Sequence, residues 1–162
     1  MSPLRSRLYP ALLAAMLLAL LSSSQSVVAA AGRPLSATGT FHQETFVQSN
    51  TRVNGVITEF DFTATSTVSG TMTGTSVATG HCVVKASAEG QCVARETLVG
   101  TVDGRAGTGE FLEVITLDFA TQSNVGSFTV LSGTGDLKNL HGAGTFQGSG
   151  ADGTYSARLV FA

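Results

Sequence analysis

The sequence predicts an all-β protein: a single antiparallel β-barrel of about eight or nine strands with one short helical turn. Three observations carry this. Runs rich in Val, Thr and Phe are interrupted by glycine about every eight to twelve residues. Apolar and polar residues alternate with period two, as in Val56, Thr58, Phe60, Phe62 against Ile57, Glu59, Asp61, Thr63, and again along 155–161. Helical periodicity is absent outside DLKNL at 136–140, which is too short to stand alone. Closure into an up-and-down barrel is favoured because it removes the exposed edges that long strands would otherwise present.

In chain order, strands are expected near 36–48, 54–64, 66–78, 80–86, 90–101, 107–119, 123–133, 141–148 and 153–161. The first two are joined through SNTRVNG, where Asn54-Gly55 is a hairpin signal, and Asp103-Gly104 supplies the turn before the strand from 107. Within HCVVKASAEGQCVARETLVG a turn centred near Ser87 places Cys82 opposite Cys92 and Lys85 opposite Glu89. Non-hydrogen-bonded cross-strand neighbours lie close enough for an S–S bond, so a Cys82–Cys92 disulfide is expected. CxxC spacing, the mark of a redox-active pair, is absent.

Residues 1–31 read as a secretory signal peptide: Arg5 and Arg7, an eleven-residue apolar run from Ala11 to Leu21, then small residues ending at Ala29-Ala30-Ala31. That run is short of the ~20 residues of a membrane-spanning helix. The barrel domain is therefore expected to occupy 32–162 and to be secreted or extracytoplasmic, with no membrane association after cleavage. Without Arg5 and Arg7, seven basic side chains face eleven acidic ones, a formal charge of −4. Such a surface argues against nucleic acid as a partner.

SGTGDLKNLHGAGTF at 132–146 poses the question of a phosphate-binding loop. A dinucleotide fingerprint needs a further glycine three residues on and a helix after it; here Asp136, Leu137 and Lys138 follow, and Gly142-Ala143-Gly144 restarts a strand. The better reading is a barrel corner, with Asp136 capping the turn and Leu137 and Leu140 plugging one barrel end.

GTGDLKNLHGAGTF resembles the G-T-G-x-L-x-x-L-x-G-x-G-x-F stretch of a small bacterial domain-of-unknown-function family, assigned a β-barrel like allene oxide cyclase and related in shape to plant dirigent proteins. Thr38-Gly39-Thr40-Phe41 is similar to that family's opening strand and Arg95-Glu96 to Gly100 to its E-x-x-x-G element. Gly104-Arg105-Ala106-Gly107 is similar to its G-R-S-G turn, and Tyr155 to Phe161 to its closing strand. The chain departs from the family in lacking Trp and in its cysteine hairpin. The resemblance implies an allene-oxide-cyclase-like barrel more directly than any activity.

Inward polar residues of such a barrel are the ones that bind or transform a ligand. Glu113 shares parity with Phe111, Ile115, Leu117 and Phe119, and a carboxyl on that apolar face would be desolvated and available as a general acid or base. Parity alone leaves open whether this face points in or out. Glu44 and Glu96 match glutamates that recur in the resembled family, with Arg95 and Arg105 available as ion-pair partners. His42, His81 and His141 have no i, i+2 or i, i+4 spacing, and no GxSxG, HExxH or GxxxxGK motif is present, so neither metal nor cofactor is implied. Two function classes follow. One is a binding or structural module for a small apolar ligand or for homo-oligomerisation. The other is a cofactor-free enzyme, cyclase- or isomerase-like or a carboxylate-dependent hydrolase, using a glutamate in the cavity.

Overall fold

The computed structural model describes residues 32–162, so the expected signal peptide at 1–31 lies outside the described residues. Eight strands follow in order: β1 Leu35–Asn54, β2 Ile57–Gly70, β3 Met72–Lys85, β4 Glu89–Val102, β5 Arg105–Asp118, β6 Ser123–Gly133, β7 Leu140–Ser149 and β8 Asp152–Phe161. Each pairs antiparallel with its sequence neighbours, and β1 pairs with β8 to close the barrel. A 3-10 turn, Gly135–Leu137, sits between β6 and β7.

The strand count settles at eight because the expected breaks after 64 and 78 do not exist. β2 runs to Gly70 and β3 runs unbroken from Met72 through Gly80 to Lys85. Gly80 was read as punctuation; it sits mid-strand opposite Phe62, and a Cβ there would overlap the Phe62 ring. Four further inward glycines are filled in the same way by the residue directly across. Tyr155 covers Gly39 and Phe41 covers Gly153 between β8 and β1, while Phe146 covers Gly126 and Phe128 covers Gly144 between β6 and β7.

The hairpins are tight. Asp103 and Gly104 both have positive φ, as a two-residue I′ loop demands. The β1–β2 loop is Gly55-Val56 with Gly55 at φ 60, since Asn54 pairs with Ile57 and still belongs to the strand. The β3–β4 loop is Ala86-Ser87-Ala88, with Lys85 and Glu89 at its base, and Cys82 faces Cys92 and is bonded to it.

One barrel end is plugged. Leu137 and Leu140 are 0% and 1% exposed and pack with Val102, Leu98, Leu159 and Met72. The turn carrying Leu137 follows Thr134 at its N-cap with no side-chain cap hydrogen bond; Asp136 lies inside the first turn and does not cap it. A second cluster, Phe60, Phe62, Ala64, Ala94 and the disulfide, fills the β2–β4 side of the barrel, with Ile115 and Leu117 of β5 packed against it.

Adding one methyl group under an aromatic ring over-packs a barrel with no slack, at a cost of about 1–3 kcal/mol. Gly126→Ala and Gly144→Ala should each lower the urea unfolding free energy by that amount. Ser127→Ala, on the outer face of the same strand, should change it by less than about 0.5 kcal/mol. Replacing both cysteines by alanine should cost about 2–3 kcal/mol, the loop-closure contribution of a roughly ten-residue span.

Candidate functional site

Inward side chains leave a cavity of about 130 Å³ inside the barrel. Its aromatic walls come from Phe41 and Phe46 of β1, Phe62 of β2, Phe128 of β6, Phe146 of β7 and Tyr155 of β8. β3 and β4 contribute no ring, only Met72, Ala78, Cys92 and Glu96, and the small Ala78 and Cys92 leave space there. Phe46 stacks on Phe62 at 5.2 Å and meets Phe60 edge-on at 6.4 Å, and Phe60 in turn meets Phe119 at 6.3 Å. These rings lie toward the end opposite the Leu137 plug, and Phe46 and Phe119 are partly exposed there.

The polar groups in the cavity converge from different strands. Glu113 of β5 points inward with Phe111 and is 9% exposed, so the face left open by parity is the core face. Glu96 of β4 is half-buried and lines the same cavity; Ala94 is the residue directly opposite Glu113, and Glu96 opposes Phe111, so the two acids are diagonal neighbours. Burial holds the Glu113 carboxyl well above the usual carboxylate range, and the charge of Glu96 and a side-chain hydrogen bond between the two acids push it further the same way. Glu113 therefore keeps its proton to higher pH than an ordinary carboxyl does.

Glu44, the third candidate, is elsewhere. It occupies a bulge in β1, where the register with β2 shifts between Gln43 and Thr45, and its exposed carboxylate accepts a 2.9 Å hydrogen bond from the Thr67 hydroxyl. Neither Arg95 nor Arg105 bridges these acids: Arg95 lies on the outer face of β4, and the Arg105 guanidinium sits 4.0 Å over the Phe161 ring.

The histidines are exterior. His42 pairs with Asp152 at 2.7 Å and His81 with Asp61 at 2.8 Å, all exposed or half-exposed, and Asn50 donates a further 2.8 Å bond to Asp61. The Asp152 hydrogen bond raises the pKa of His42, while the Asn50 and His81 bonds lower that of Asp61. Among the described residues no group of three His, Cys, Asp or Glu side chains is arranged to hold a metal ion.

Four polar residues passed over in the sequence, Ser66 of β2 among them, complete the site. Asn124, near the start of β6, lines the cavity, and its side-chain carbonyl oxygen is buried without a hydrogen-bond partner. Gln43 precedes the β1 bulge and also lines the cavity. The Tyr155 hydroxyl accepts a 2.8 Å bond from the Met72 amide and donates toward the Ser69 and Met72 carbonyls, at 3.3 Å each, and burial raises its pKa. Tyr155 thus ties the cavity wall to the β2–β3 turn. The available signal for Asn124 was its parity with Phe128, obscured by the turn-like composition of QSNVG.

A family model described as a protein of unknown function (DUF3224) matches residues 37–159. Among solved structures, a protein of unknown function from the DUF3224 family of Shewanella oneidensis MR-1 superposes with a TM-score of 0.68 at 19% identity, covering 80% of this chain and 98% of that one. At that identity the likeness bears on the fold. No curated protein matches the chain.

The folded barrel holds the Glu113 proton more tightly than the unfolded chain does. Folding stability therefore falls as pH rises above the ordinary carboxylate pKa and levels off beyond the raised one. Glu113→Gln removes this loss. Thermal melts should coincide for the two proteins near pH 4, and the variant should melt higher at pH 8. Parallel melting curves at both pH values would show that the carboxyl is not held protonated.

Proposed function

The chain belongs to the DUF3224 family of proteins of unknown function, and on that premise we propose that it is an exported barrel that binds a small, mainly apolar molecule in its interior. The observation that carries this reading is the cavity itself, apolar on most of its wall yet furnished with Glu113, Glu96 and the unpartnered Asn124 oxygen. Buried polar atoms without partners are rare in native proteins and each calls for a reason. A ligand that completes their hydrogen bonds supplies one. At about 130 Å³ the space is well below the ~300–1,000 Å³ of drug-sized sites, and near the ~150 Å³ engineered cavity that takes benzene. The ligand class is therefore ring-sized or smaller.

Export is supported by residues 1–31 and by the disulfide, since such bonds persist in oxidising compartments. The closed eight-strand ring supports the allene-oxide-cyclase-like shape. Exposed Val83, Val93, Val114 and Val125 run as a band across the outer faces of β3–β6, a surface suited to self-association of the barrel. A second reading, cofactor-free acid catalysis, is favoured by the convergence of Glu96 with Glu113, whose pKa burial raises, the pairing that general acid–base chemistry employs.

Toluene, titrated into the mature protein and followed by NMR, should shift resonances of cavity residues with a dissociation constant of ~1 mM or tighter. Ala78→Leu fills the cavity from β3 and should weaken that binding at least tenfold while leaving the barrel folded. Shifts scattered over the outer surface, or binding unchanged in Ala78→Leu, would remove the reading.

A further inference from the structure

The cavity's ionisable lining is all of one kind. Glu113, Glu96 and Tyr155 face it, and among the described residues no lysine, arginine or histidine does. Glu113 is flanked by Ala94 and Glu96 of β4 and by Phe128 of β6; Asn124 of β6 stands opposite Leu117, four residues further along β5, with Tyr155 of β8, Gln43 of β1 and Ser66 of β2 also on the cavity wall, and β3 presents nothing titratable there. Every acid in the cavity thus lacks a cationic partner, and the Asn124 oxygen is an acceptor with no donor. Around these oxygens stand six aromatic rings, whose faces attract positive charge. Two adjacent carboxyls and aromatic walls ask for the same complement, a compact donor bearing positive charge.

We propose that the ligand is a small organic ammonium ion, its alkyl part against the phenylalanines and its N–H groups on Glu113 and Glu96. This rests on the reading of the cavity as a ligand site. Neutral alcohols of the same shape offer one donor and leave the acids uncompensated, and a carboxylate ligand adds a third negative group. The proton balance is explicit. The ligand enters already protonated on nitrogen, the O–H bond of the Glu113 carboxyl breaks, and its proton leaves to the buffer. The resulting carboxylate then accepts an N–H hydrogen bond from the ammonium. One proton is released for each ligand bound while Glu113 is protonated in the empty barrel.

Three probes of one shape test this: isobutylamine, isobutanol and isobutyrate, titrated calorimetrically into the mature protein between pH 5 and pH 8. The proposal expects the amine to bind at least tenfold tighter than the alcohol at pH 8 and isobutyrate not to bind. It also expects amine affinity to rise with pH, and the binding enthalpy to vary with buffer ionisation enthalpy in proportion to proton release. Glu113→Gln should abolish the amine's advantage and keep isobutanol binding; Glu96→Gln should reduce the same advantage if the first variant does not fold. Equal affinity for amine and alcohol would overturn the ammonium assignment while leaving the cavity a ligand site. Failure of all three probes together with toluene would overturn both.

Discussion

The barrel depends on aromatic rings seated on glycines across the strand pair. An eight-stranded barrel has an interior only wide enough for side chains to fill, so two large residues cannot face each other on neighbouring strands. Five times the conflict is resolved by removing one side chain entirely, and between β1 and β8, and again between β6 and β7, the arrangement is reciprocal, each strand supplying one ring and one glycine. Glycine in a strand costs roughly 0.5–1 kcal/mol in backbone entropy, whereas full burial of a phenylalanine contributes about 1.5–3 kcal/mol. The ring wins, and the glycine content of the chain becomes a packing requirement rather than a loop composition.

The cavity follows from where this pattern stops. β3 and β4 carry no inward aromatic residue, and their alanines, cysteines and serine face rings from strands on the other side. Space left by small residues on two adjacent strands is space the opposite rings do not reach. The disulfide holds those same two strands together within the second core cluster, so the thinnest part of the packing carries the covalent link. The other end of the barrel needs no such link, because Leu137 and Leu140 close it with apolar volume.

Much of this was legible in the sequence. The strand pattern placed β4–β8, though the expected strand at 66–78 runs across the β2–β3 hairpin; Cys82 opposite Cys92 followed from the turn at Ser87, and the leucines of DLKNL were readable as a plug. Glycine misled at Gly80, because a breaker and a ring seat look identical in one dimension, and only the register with Phe62 distinguishes them. The inward direction of Glu113 was not readable, since exposed Val114 and half-buried Leu112 make the outer face of β5 nearly as apolar as the inner one. Glu44 and Glu96 are both glutamates on predicted strands, yet a bulge turns the first outward while an unbroken ladder with β5 carries the second inward. A one-residue bulge reverses parity, and nothing in the local composition around Glu44 announces it.

Placing two acids inside an apolar barrel works against folding, since desolvation disfavours the charged form and a second carboxyl adds repulsion. A barrel selected only for stability would fill the β4–β5 side with another ring seat, as β6 and β7 do. Glu113 instead lies beside Glu96 and opens onto a void that also holds an unpaired acceptor. The Tyr155 hydroxyl, on the same wall, is fully engaged with the β2–β3 turn, and the buried side-chain atom left without a partner among the described residues is the Asn124 oxygen. Two acids without a cation and an unpartnered acceptor lining one cavity mark the place where the fold gives up stability to something outside itself.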